Sequence, residues 1–329
     1  MRIGNIEVEK GKRTDGYFEI GYTADGQQIK IPVIIVAGAE DGEVYWAEGG
    51  IHGTEISGAM AIIEAAQEID PAKLKGIFVG VPVINLMAHR AGHHHSPADY
   101  SNLNHVFPGD ADGSYTSQLA AAYFEIVSSC ANYVLDFHNG GHDMIMPYYC
   151  GYIVQDGTPL AKKTKKLVQY SGAHSGWVTH FSEFHSKLPS QLASLTKAGI
   201  ATMIVESGSA DCERETIENY KKSIFGGMRG FGFLDGEPYN NPNMMITMNG
   251  KTPTGPKTHR GGLFVALTTA GAVLKKGAPV GKVIDLFGNV LEEYFCPEED
   301  MYVNSILKTG TPITNGAMYG EFSVVTDEK

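Results

Sequence analysis

The chain has 329 residues, 43% of them apolar and 19% charged, with a formal net charge of −11. Such a balance belongs to a globular protein with a real core, in one large domain or two. The acidic excess argues against nucleic acid or an anionic membrane as partner, because a phosphate-binding surface needs surplus Lys and Arg. A small molecule is the expected partner, and a homo-oligomer is compatible with the sequence.

The first 18 residues, MRIGNIEVEKGKRTDGYF, lack the apolar core of a signal peptide. No apolar stretch approaches the ~18 residues of a membrane span. Cys130, Cys150, Cys212 and Cys296 are widely spaced and form no CxxC pair. Free packing thiols in a reducing cytoplasm are the simplest reading.

Strands are predicted over Tyr17 to Tyr22 and Ile31 to Ala37, with the turn pair Asp25-Gly26 between them. A short apolar strand follows at Val44 to Ala47 and ends on Gly49-Gly50. The small, apolar stretch after Thr54 predicts a helix capped by Thr54 and closed at Asp70-Pro71. The run after Gly76 is apolar throughout, as in a strand buried on both faces. Helices are predicted at Ser117 to Cys130, about Pro159 to Tyr170 and about Ser190 to Ala198, with strands at Tyr133 to Phe137 and Ala201 to Val205. This alternation predicts an α/β fold with a mixed sheet flanked by helices over residues 1–235. Residues 236–258, rich in Pro, Gly and Asn, read as a linker or long loop. Short β-like runs separated by glycines over 259–329 predict a small C-terminal all-β domain.

Three segments carry chemistry. His52 and Glu55 stand three apart where a strand tip meets a helix start, a placement that can aim both at one ion. Chance alone supplies about one such pair in a chain of this composition, and His180 with Glu183, followed by His185, is a second, read as a polar loop. Context favours the first. His138 closes the apolar strand Val134 to Phe137 before Gly140-Gly141, and sites in α/β sheets form at the carboxyl ends of strands. His52, Glu55 and His138 would leave a fourth zinc position open. Asp136, two residues before His138 on the same strand face, can orient its imidazole. Glu206 ends the apolar strand Ala201 to Val205, a place for a carboxylate that moves a proton. Each has a structural alternative: a hydrogen-bonded histidine, or a glutamate that caps a segment or pairs with a cation. Of His93, His94 and His95, at most one can face an ion on regular backbone.

Taken in order, these segments resemble the succinylglutamate desuccinylase/aspartoacylase family, a branch of the zinc carboxypeptidase-like fold. Gly49 to Gly58 is similar to its first zinc motif, Asp136 to Gly140 to the segment with the second zinc histidine, and Val205 to Gly208 to the segment with the general acid/base. Asn102-Leu103-Asn104-His105-Val106-Phe107-Pro108-Gly109 is similar to its Leu-Asn-Arg-x-Phe-Pro-Gly stretch. The resemblance implies one Zn2+ per chain on His52, Glu55 and His138, with Glu206 as base and then acid. It further implies substrate contacts from Asn104 and His105, and a role for His94 at the oxyanion. The activity it implies is cleavage of a small N-acyl amide by a deacylase. His94 and His105 stand where that family usually has Arg. A shorter imidazole lacks the bidentate fork of a guanidinium, so the expected substrate is less anionic at that end, or is held differently. Ester or lactone hydrolysis, a non-catalytic binding protein, and recognition of sugar or protein by the C-terminal β region are the alternatives.

Overall fold

The computed structural model describes residues 1–23, 25–154, 157–180, 190–241, 243–248 and 256–326. A twelve-stranded mixed sheet organises it. At its centre lie four strands in spatial order: Ala201–Gly208, Tyr133–His138, Glu40–Gly49 and Lys75–Val81. Each neighbouring pair among them is parallel, so their carboxyl ends share one edge of the sheet. Gln28–Ala37 and Arg13–Tyr22 extend it antiparallel beyond Lys75–Val81. On the other flank Met144–Val154 runs antiparallel to Ala201–Gly208.

The central strands alternate sides between two apolar cores. Tyr45, Leu135, Phe137, Met203 and Val205 face one core, closed by helices Ser57–Glu68, Pro159–Tyr170 and Arg214–Gly230. Trp46, Val79 and Val134 face the other, closed by helix Tyr115–Cys130. Each fully buried side chain of this size contributes roughly 1.5–3 kcal/mol. Burial on both sheet faces explains why these strands read as unbroken apolar runs.

Several expectations shift in detail. The first helix starts at Ser57, not at Thr54, and its N-cap Ile56 makes no side-chain capping bond. The intervening residues form a turn in which the Glu55 N–H donates to the His52 carbonyl at 3.2 Å. Helix Arg214–Gly230 and strand Met144–Val154 have no counterpart in the sequence reading. Both are interrupted by glycines that packing requires: a Cβ on Gly227 would sit 1.9 Å from the Tyr45 hydroxyl, and one on Gly151 would sit 2.6 Å from Ile204.

The stretch 236–258, read as a linker, supplies strand Met245–Met248, which pairs with both Ser175–His180 and Gly320–Val325. Beyond it, the described residues form strands and no helix. Some make a four-stranded sheet, whereas Met301–Leu307 and Gly320–Val325 belong to the large sheet. No helix among the described residues is long and apolar enough to cross a membrane.

Candidate functional site

Three adjacent parallel strands deliver the site at their shared carboxyl edge. Glu40–Gly49 leads through Gly50-Ile51 to His52 and Glu55; Tyr133–His138 ends on His138; Ala201–Gly208 brings Glu206 level with His138, its partner in register. The His52 turn packs tightly. A Cβ on Gly53 would meet the Ala88 backbone at 2.1 Å, and the Gly53 N–H donates to the His93 carbonyl at 3.0 Å. This contact draws the His93 to His95 loop over the site.

Glu55 lies at the centre, 4% exposed. Its Oε1 is 2.9 Å from His52 Nδ1 and its Oε2 is 3.0 Å from His138 Nδ1. Each ring turns its other nitrogen outward to an acceptor. His52 Nε2 donates to Asn102 Oδ1 at 3.1 Å, and His138 Nε2 donates to Asp136 Oδ2 at 2.9 Å. Without a metal both Nδ1–H groups donate to Glu55; the outer acceptors hold a proton on each Nε2, so loss of the Nδ1 protons would leave both lone pairs facing one point beside that carboxylate. Two imidazole nitrogens and a carboxylate offering both oxygens suit a divalent cation of the zinc type.

The electrostatics agree with that fit. Burial would raise the Glu55 carboxyl, but His52 and His138 outweigh it and hold it well below the ordinary range. Burial would lower His138, but Asp136 and then Glu55 outweigh it and lift the ring well above its ordinary value. The cluster demands positive charge.

His94 lies on the open side. Its ring stacks on His52 with centroids 3.6 Å apart, and its Nδ1 is 3.7 Å from Glu55 Oε1. Burial and the neighbouring His52 push it down to about 3, so it is a neutral imidazole. By distance alone, His52, Glu55 and His94 form a set whose ligand atoms all lie within 4.8 Å. His138 falls outside that set, although its ring centroid is 5.0 Å from that of His52. Orientation sets them apart: His138 faces Glu55 Oε2, which also accepts from the Asn139 N–H at 3.3 Å, whereas His94 stacks flat on the His52 ring.

Glu206 is 7% exposed, and its buried Oε2 has no hydrogen-bond partner. Burial raises it well above the ordinary carboxylate range; His138 opposes this, and Glu55, Glu321 and Asp136 add to it. A carboxyl so placed can carry a proton near neutral pH. Asn104 Oδ1 accepts from the Gln191 N–H at 3.1 Å, while its own N–H donates to Asn102 Oδ1 at 2.9 Å. His105 is exposed at the rim. His93 and His95 stay outside the cluster. Glu183 and His185 lie outside the described residues.

Sequence reasoning missed Asn102, which holds His52, and the fully buried Glu48, which bonds Tyr123 and Gln191. A signal existed for Glu48, since a carboxylate inside the apolar run Val44 to Ala47-Glu48 is as odd as Glu206. Glu48 pairs in register with Asp136, and the two buried acids face each other's charge. A cavity of about 400 Å³ lined by Lys73, Lys222 and Arg229 contains none of these residues.

The chain is 34% identical over 129 residues to an N-alpha-acetyl-L-2,4-diaminobutyric acid deacetylase from Halomonas elongata, a match covering 39% of this chain and 37% of that protein. Matched so, the chain spans little more than a third of that relative's length. The fold superposes on the product-bound ectoine utilization protein EutE (DoeB) from Ruegeria pomeroyi, with a TM-score of 0.87 and 21% identity over 97% of this chain and 98% of that one. It also matches a succinylglutamate desuccinylase/aspartoacylase from Rhodobacter sphaeroides, with a TM-score of 0.85 and 20% identity over 99% and 98% of the two chains. At such identities the likeness is one of fold. Residues 46–226 match the succinylglutamate desuccinylase/aspartoacylase catalytic domain, so this chain belongs to that family.

Proposed function

We propose that the protein is a zinc-dependent deacylase that hydrolyses the amide of a small N-acyl amino acid or N-acyl amine. The observation that carries this reading is the inward convergence of His52 Nδ1 and His138 Nδ1 on the two oxygens of Glu55, beside the unpartnered Oε2 of Glu206. The family membership and the deacetylase relative speak for the same chemistry.

His52, Glu55 and His138 hold the metal, one per chain. When bound, zinc supplies Lewis acidity toward a carbonyl and eases deprotonation of water. Glu206 does the proton work: its carboxylate takes a proton from water as the oxygen attacks the acyl carbon. It returns that proton to the nitrogen as the C–N bond breaks, leaving a carboxylic acid and an amine. His94, neutral and at the open side, donates a hydrogen bond to the carbonyl oxygen as negative charge develops there. Asn104, whose oxygen is spent on the Gln191 N–H, offers its amide N–H group to substrate, with His105 at the rim. On this reading residues 1–235 form a zinc carboxypeptidase-like catalytic unit, whose sheet is extended by strands Met301–Leu307 and Gly320–Val325.

Glu206→Gln tests this. It keeps the side-chain shape and removes the proton carrier, so kcat should fall by about 10²–10⁴ while bound metal stays stoichiometric. Near-normal turnover of an N-acyl amino acid by this variant rules out Glu206 as the proton carrier.

A further inference from the structure

One buried acid has no task in that chemistry. Glu48 is fully buried, and both its carboxylate oxygens accept from neutral donors: one from the Tyr123 hydroxyl, the other from the Gln191 side-chain amide. Tyr123 is itself held, since its hydroxyl accepts from the Trp46 Nε1–H at 3.0 Å. Burying a carboxylate among neutral groups is costly. An amide in its place would present one acceptor and one donor, so one of the two donors would face another donor. The carboxylate receives both, through bonds roughly twice as strong as neutral ones.

What the carboxylate holds leads to the site. Gln191 is the first residue of helix Gln191–Lys197, which Ser190 caps by accepting from the Ala193 N–H at 3.1 Å. This helix has seven residues. Leu192 and Ala193 pack on Ile153 and Ile204, and Leu195 joins the core of Trp46. A helix so short is not stable by itself, so the placement of its first turn depends on the Glu48 bond. From that turn the Gln191 N–H donates to Asn104 Oδ1 at 3.1 Å, which commits the oxygen end of the Asn104 amide. The Asn104 N–H donates to Asn102 Oδ1 at 2.9 Å, the same oxygen that accepts from His52 Nε2 at 3.1 Å. An unbroken series of hydrogen bonds thus runs from Glu48 through Gln191, Asn104 and Asn102 to His52. On the neighbouring strand Asp136, in register with Glu48, holds His138.

We propose that Glu48 is a positioning residue for substrate: by fixing Gln191 it sets the direction of the Asn104 amide, the group that meets the N-acyl compound, while touching neither substrate nor metal. This rests on the deacylase reading above, which gives Asn104 its place against substrate, and adds a buried residue that governs KM. A Glu48 that served the core alone would, when altered, loosen the strand Glu40–Gly49 around it as much as the Asn104 loop.

The test uses the zinc-loaded full chain. Glu48→Gln keeps the side-chain shape and leaves one of the two donors unmatched. Amide hydrogen exchange followed by NMR should show the Gln191 and Asn104 N–H groups exchanging about tenfold or more faster, while Trp46 and Ala47 keep their protection. With the best hydrolysed of Nα-acetylnorvaline, Nα-acetylornithine and Nα-acetylglutamate, KM should rise about tenfold while kcat stays within about threefold. In an Asn104→Ala background the same change should raise KM by less than about twofold, because the group it orients is gone. Gln191→Met removes only the held side chain and should reproduce these effects if Glu48→Gln fails to fold. Equal loosening of strand and loop, unchanged exchange at Gln191 and Asn104, or a KM effect of full size in the Asn104→Ala background overturns the positioning role and leaves the deacylase reading standing. Hydrolysis of no N-acyl compound by the unaltered protein removes the deacylase reading, and the claim on KM with it, whereas the exchange rates still decide whether Glu48 holds the Asn104 loop.

Discussion

Replacing Asp136 by Asn tests whether His138 binds the metal, provided metal affinity and metal-free stability are measured separately. Asp136 is 1% exposed, and its Oδ2 accepts from His138 Nε2 at 2.9 Å. Asn keeps the shape but replaces a charge-assisted hydrogen bond with a neutral one of about half the strength. Loss of such an outer partner typically costs about 10–100-fold in metal affinity, or roughly 1.4–2.7 kcal/mol. Stability without metal should fall too, because Asp136 is the chief partner of the buried His138 ring, but by less than loss of a buried partner usually costs. Asp136 sits in register with the fully buried Glu48 and raises its pKa, so removing one of two facing acids relieves repulsion in a low-dielectric interior. A competition titration against a chromogenic chelator gives the affinity, and urea unfolding of the chelator-treated protein gives the stability. Zinc affinity within about twofold of the parent would refute the reasoning. His138 would then not be a ligand, and His94 would complete the set with His52 and Glu55. His94→Ala in the same titration should change affinity only a few-fold while lowering kcat.

Gly53→Ala should destabilise by about 1–3 kcal/mol in urea unfolding, because its Cβ would enter the Ala88 backbone; a change below about 0.5 kcal/mol would mean this turn is not clamped as described. Asp99 accepts from the Thr116 N–H at 2.9 Å and from its hydroxyl at 2.5 Å, bonds that cap helix Tyr115–Cys130. Burial opposes its charge, but these bonds outweigh that and lower it to about 2. A depressed carboxylate stabilises above its unfolded pKa near 4 and loses that contribution as pH falls toward 2. Asp99→Ala should therefore cost ~1 kcal/mol at pH 6, with the gap closing below pH 4 in pH-dependent unfolding; a gap independent of pH would show that the hydroxyl and N–H are not its partners. Chelation should abolish hydrolysis and zinc should restore it, as read by amine release before and after dialysis, and full activity after exhaustive chelation would exclude a metal requirement.

How far the site could be read from the sequence follows from what each residue must do. Glu206 and His138 are visible because a buried strand seldom ends on an ionisable side chain without use, and their chain positions fix them at one sheet edge once the strands are parallel. His52 and Glu55 are visible only in company, since their spacing recurs by chance. Asn102 is hidden because its task is to accept one hydrogen bond from a ring 50 positions away, and many polar residues in a loop could do so. His94 was placed by resemblance, but its stacking on His52 depends on the Gly53 to His93 contact, which no local pattern encodes. The fold was misjudged where glycine serves packing: Gly226-Gly227 and Gly151 lower local propensity, yet they let a helix and a strand approach aromatic and aliphatic neighbours. The C-terminal strands were readable as strands, but not their pairing, because hydrogen bonding to Met144–Val154 and Met245–Met248 is long-range and leaves no spacing to count.

The most direct measurement is a crystal structure of the zinc-loaded protein with anomalous data at the zinc edge. The account predicts one peak about 2.0–2.2 Å from His52 Nδ1, a Glu55 oxygen and His138 Nδ1, with Glu206 nearby but not bonded to it. A peak ligated by His94 while His138 keeps only its bond to Asp136, or no peak within this cluster, would contradict it.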